Sequence, residues 1–152
     1  MVRLRLFVAM VLGIGATAHG VSQPRNPGLL VWSAFECSTF AELAGDKNEQ
    51  RRLFDLGHRT GVAFLTAVAS GTAKEEERAQ APVGLLMRLG GPNPDFMLGR
   101  IFEGANEDSF DQVVKTNNEG VAVDDPRRWL EGDARVQKAK SEFSKANCAL
   151  LR

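Results

Sequence analysis

Along most of this chain the apolar positions recur at helical spacing, three to four residues apart, and clear stop signals separate the runs. The first run extends from about Leu29 to Leu43 and ends at Ala44-Gly45, where glycine suits the left-handed residue that closes a helix. Asp46 opens the second, with Glu49 three residues on in capping-box spacing. Leu53, Gly57, Phe64 and Val68 fall on one side of that helix, with Phe54, Gly61 and Leu65 beside them. Gly57 and Gly61 lie one turn apart on this side. Since glycine inside a helix costs about 1 kcal/mol against alanine, the pair predicts close approach of a neighbouring helix.

Gly71 ends the second run, and Thr72 with Glu75 repeats the capping-box spacing ahead of the charged segment KEEER. After Pro82, VGLLMRL reads as a short, central helix stopped by Gly90-Gly91. Asn93-Pro94-Asp95 starts a further helix, running to about Thr116, with Leu98, Ile101, Phe102, Ala105 and Val113 inward. NNEGVAV is a loop. Asp125-Pro126 then predicts the start of the last helix, with Trp129, Val136, Ala139, Phe143 and Ala146 on its apolar face. Strong alternating strands are absent. The pattern predicts an all-α fold, a single compact domain of about five helices spanning 29–152.

The N-terminus follows a different logic. Arg3 and Arg5 precede an apolar core from Leu6 to Ala16, and Ala16-Thr17-Ala18 supplies an A-x-A cleavage site, the order of a secretory signal peptide over 1–18. That core is far shorter than the ~20 residues a spanning helix needs. Residues 19–28, rich in proline and glycine toward their end, predict an extended lead-in. The expectation is an exported, periplasmic protein with no stable membrane insertion after cleavage.

Charge changes little. The 19 basic and 19 acidic residues balance, and losing Arg3 and Arg5 leaves the mature chain at −2. With no polybasic block, nucleic acid is not an expected partner. Nor does any cofactor-binding motif occur.

Export does change the reading of the two cysteines. An even pair in an oxidising compartment predicts a disulfide, here Cys37–Cys148, joining the first helix to the chain's end. The alternative, a thiol nucleophile, would need a partnering base.

Candidate chemistry is sparse. Glu36 falls on a helical wheel among Trp32, Leu29, Phe40 and Leu43; in that apolar arc it would be desolvated, as suits a general acid, unless Arg59 or Arg100 pairs with it. Glu103, Glu107 and Asp111 recur every four residues as an acidic stripe opposite the apolar face, where it should face water; the alternatives are a partner-binding surface and a cation site. His58 sits at the margin of the second helix's stripe. His19 would become the N-terminal residue after cleavage and, with His58, is the weak candidate for holding copper; no metal site is expected from them. The GGPNP turn at 90–94 matches no phosphate-binding motif.

A leader, a helical domain and one disulfide form a character shared by small periplasmic inhibitors, immunity proteins and acid-stress chaperones, though no motif transfers residue roles. Three functions follow as expectations. The first is binding of another envelope protein as inhibitor, immunity or accessory factor. The second is cell-wall glycan hydrolysis with Glu36 as general acid, and the third a periplasmic stress chaperone.

Overall fold

Asn26, Asp46 and Asn93 each satisfy backbone N–H groups that a helix start leaves open, and Gly45 and Gly71 turn the chain just beyond two helix ends. A computed structural model describes residues 26–117 and 119–152. The signal-peptide reading and most of the lead-in therefore lie outside the described residues. The helices are α1 (Pro27–Leu43), α2 (Lys47–Ala69), α3 (Glu75–Ala79), α4 (Val83–Leu86), α5 (Pro94–Val114) and α6 (Gly132–Lys145), with 3-10 turns at Pro126–Arg128 and Cys148–Leu150. No strand occurs among the described residues; Thr116 and Ala122 form one isolated bridge.

Helix α1 starts two residues earlier than its apolar run. Asn26 accepts from the Leu29 N–H at 3.0 Å, and Pro27 takes the first helical position, where its missing N–H costs nothing. The same Asn26 donates through Nδ2 to Glu77 O, tying this start to α3. Gly45, at φ 81°, closes the helix. Asp46 caps α2 as its sequence position predicts, accepting from Asn48 N and Glu49 N. The reciprocal half of that capping box is not made. Glu49 instead holds Arg52, while the Asp46 N–H donates to Ala41 O.

Three expectations need correction. Thr72 does not open the next helix: its N–H donates to Ala67 O and completes the closure of α2 around Gly71 (φ 71°), so α3 begins at Glu75. VGLLMRL is helical only over α4 and lies at the periphery; Leu85 is buried, but Val83 and Met87 face water. Asp125-Pro126 starts one 3-10 turn rather than α6. There the Trp129 indole donates to Val123 O, the backbone extends at Trp129, and Gly132 at φ 51° begins the helix afresh. Trp129 consequently packs from outside α6, and Ala146, placed on its apolar face by spacing, is exposed.

Helix α1 is the hub, packing against α2, α5 and α6. It contributes Val31, Trp32 and Phe35 to one apolar cluster with Phe64, Leu65 and Ile101. From other sides it contributes Ala34, Cys37 and Phe40 to a second, with Leu53, Val113 and Ala139. A helix apolar nearly all round belongs inside. Its two buried hydroxyls are satisfied: Ser38 donates to Gln50 O at 2.9 Å, and Thr39 to Asn106 Oδ1 at 3.0 Å and Phe35 O at 3.2 Å.

The paired glycines of α2 are explained by this crowding. A Cβ on Gly57 would lie 2.7 Å from the Phe35 ring, and one on Gly61 would collide with Leu98. The Gly57→Ala variant should therefore lose about 1–2 kcal/mol, because displacing a buried ring outweighs the ~1 kcal/mol gained in helix propensity. Gly99 in α5 has nothing within 4 Å of such an atom. Gly99→Ala should gain roughly 0.5–1 kcal/mol. Urea midpoints of the two variants, moving in opposite directions, are the check; a stabilised Gly57→Ala would refute the packing account.

Candidate functional site

Cys37 and Cys148 are disulfide-bonded across 111 positions, with Cα atoms 5.5 Å apart and both residues essentially buried. There is no free cysteine. The chain thus has no thiol nucleophile, and Cys37 is scaffold. Arg52 completes the junction: Nη1 donates to Leu151 O at 2.7 Å and Nη2 to Cys148 O at 3.3 Å, while Glu49 holds the guanidinium from behind. Nothing about the spacing of Arg52 and Cys148 announces this clamp.

Glu36, next to Cys37 in sequence, sits one helical step away with a different environment. Its residue is half-buried against α5. Burial pushes its carboxyl above the ordinary value near 4.5; the Trp32 indole N–H, facing it as a donor, pulls the other way, and Asp108 on α5 adds a second upward push. Neither arginine expected by sequence meets it. Arg100 donates to Gly90 O at 2.7 Å and covers the Phe96 ring, and Arg59 is exposed on α2. No ion pair of Glu36 occurs among the described residues. Asp108 was not singled out by spacing, since it belongs to no regular acidic repeat with Glu36 and meets it only through the α1–α5 contact.

A carboxyl whose folded-state pKa is raised keeps its proton longer in the native than in the unfolded chain. Its contribution is fully present below about 4.5 and is lost as pH rises through the elevated value. Glu36→Gln, which mimics the protonated form, should match the parent in Tm near pH 3.5 and exceed it at pH 7. A parent more stable than the variant at pH 7 would mean that the Glu36 carboxylate has a favourable partner after all.

The acidic stripe divides. Glu103 and Glu107 are exposed along α5, lining a groove of about 370 Å³ with Met87, Arg88, Arg100 and Gly104. Asp111 is taken up by Lys115 at 2.5 Å and belongs to another groove beside Trp129. His58 is exposed and stacks on Phe54, ring centres 6.2 Å apart, at the mouth of a groove of about 230 Å³ lined also by Phe35, Gly99 and Phe102. His19 lies outside the described residues. Among the described residues no three His, Cys, Asp or Glu side chains gather as a metal site would require. A fourth groove, of about 450 Å³, runs along α6 past Lys138, Glu142 and Lys145. Glu36 lines none of these four.

Known proteins add nothing to this geometry: no family matches the chain, and no curated protein or solved structure matches it either. No helix among the described residues is long and apolar enough to cross a membrane.

Proposed function

We propose that this chain is an exported, periplasmic helical module that works by binding another protein of the cell envelope, as inhibitor, immunity factor or assembly accessory. The observation that carries the reading is a set of large apolar side chains left in water on a covalently closed scaffold. Val83 is 70% exposed, Met87 74% and Phe96 50%, although the core beneath them is well filled. Burying such side chains against a partner yields about 25 cal/mol per Å² before the costs of association, and a rigid scaffold keeps those costs low. The disulfide supplies the rigidity and fits an oxidising compartment.

The test is capture from an envelope extract of the producing cells by the immobilised, oxidised protein. Retention of a specific protein, lost when the bait is reduced and unfolded, is the expected result. A chain that retains no protein and instead cleaves peptidoglycan sinks the reading.

One observation favours a second function, glycan hydrolysis. Glu36 is held toward its protonated form with Asp108 nearby, the chemistry a general acid and a companion carboxylate would use. Against it stands that Glu36 lines none of the four grooves described above. On this reading Glu36→Gln abolishes turnover of peptidoglycan fragments, whereas loss of no activity leaves Glu36 a structural acid.

A further inference from the structure

The groove between α4 and α5 is built from residues whose own partners decide what it can accept. Gly104 leaves a notch in α5 that the Arg88 side chain enters. From there Arg88 donates to Gly84 O at 2.8 Å and lies 5.7 Å from the centre of the Trp32 ring. Trp32 in turn packs against Gly84, where a Cβ would stand 2.5 Å from the indole. Arg100 behaves in the same way, donating to Gly90 O and covering Phe96 at 5.9 Å. Each cation of the groove thus gives one nitrogen to a carbonyl and lies against a ring of its own chain.

Glu103 and Glu107, lining the same groove, gain nothing from them. Neither carboxylate has an ion pair or a side-chain hydrogen bond among the described residues, although two guanidinium groups line the groove with them. Around them, α5 carries five acidic residues against one arginine. Two carboxylates in the groove therefore stay open to hydrogen-bond donors from outside, and the acidic excess of α5 favours donors that carry positive charge. Met87 stands in its wall, Val83 lies one turn before Met87, and Phe96 lies one turn before Arg100; all three are exposed. A bare acidic helix face would be content in water, and a bare apolar one would accept any greasy surface. The two together select.

We propose that the α4–α5 groove is the docking surface for a basic segment of a partner protein, whose lysine or arginine donors meet Glu103 and Glu107 while its apolar side chains cover Met87 and Phe96. This rests on the protein-binding reading above and gives that partner its chemistry. Arginine is the better match, since its planar fork can address a carboxylate with two donors at once.

The test places a photo-crosslinking amino acid at position 87 in the full oxidised chain, and in a second sample at position 121, which is exposed in the loop beyond the far end of α5. Each is irradiated in the envelope extract, and the joined segment is sequenced by mass spectrometry. Position 87 should yield a protein segment rich in Lys or Arg. Introducing Glu103→Lys with Glu107→Lys should cut that yield at least tenfold while leaving Tm unchanged to within a few degrees, both sites being exposed. The proposal is overturned if a captured partner crosslinks only through position 121, if the joined segment is acidic or is a lipid, or if charge reversal leaves the yield intact. A chain that captures no protein at all overturns the protein-binding reading itself, and the groove assignment falls with it.

Discussion

Replacing both cysteines by alanine should lower Tm by roughly 12–25 °C. The closed loop spans 111 positions. On the chain-entropy account, opening it returns about 4–5 kcal/mol of conformational freedom to the unfolded chain. At this size each kcal/mol moves Tm by about 3–5 °C. Alanine is the right replacement, because both positions are essentially buried and serine would add two desolvated hydroxyls to the cost. The native contacts do not all vanish with the bond: the Arg52 clamp still holds Cys148 O and Leu151 O against α2. The prediction separates the two contributions. If the double alanine variant loses less than about 1 kcal/mol, the clamp and the packing of the second cluster suffice to fix the C-terminus, and the bond is redundant. Thermal unfolding followed by circular dichroism, with the reduced parent as comparison, decides between these outcomes.

The second large effect is expected at Phe35. Its side chain is 1% exposed and meets Phe102 edge-on at 5.3 Å and Phe54 at 5.9 Å, while its ring edge fills the space over Gly57. Truncating a buried Phe to Ala removes its transfer free energy and leaves a cavity, together about 3–5 kcal/mol. The lower half of that range is expected. Phe54 is 38% exposed, so it has room to tilt inward and fill part of the void. Relief at Gly57 offers a sharper check. In the Phe35→Ala background, Gly57→Ala should become neutral or stabilising, since the ring it collides with is gone and only the helix-propensity gain remains. Denaturant unfolding of the two singles and the double gives the coupling energy. Additivity would show that the Phe35 ring does not fill the space over Gly57.

How far the sequence carries can be judged from these same residues. Helices α1, α2 and α5 are legible because their apolar stripes are bounded by residues with backbone chemistry of their own: Gly45 and Gly71 at positive φ, Asp46 and Asn93 as caps. The disulfide was legible because two cysteines allow only one intramolecular pairing. Errors fell where a local signal competes with a contact distant in sequence. Asp125-Pro126 does start a turn, but the bond from Trp129 to Val123 O diverts the chain before a helix can propagate. Thr72 has the right spacing for a cap and is claimed instead by the end of α2. The candidate sites were legible only as residue types. Glu36 was visible on a wheel; Asp108 opposite it was not, because nothing in one helix's periodicity reports which turn of another helix will face it. The acidic stripe was visible as three equivalent carboxylates, and only the placement of Lys115, Arg88 and Arg100 separates Asp111 from the other two.

The Cys37–Cys148 bond also changes how the molecule bears force and damage. Residues 37 to 148 form a covalent ring, from which the described chain leaves by only 11 residues on one side and four on the other. Tension applied to the two ends therefore runs through the sulfur bridge and bypasses α2 through α6 altogether. A protease that cuts the exposed turn around Gly120 opens the ring without releasing a piece of it, so the cleaved protein keeps its mass until it meets a reductant.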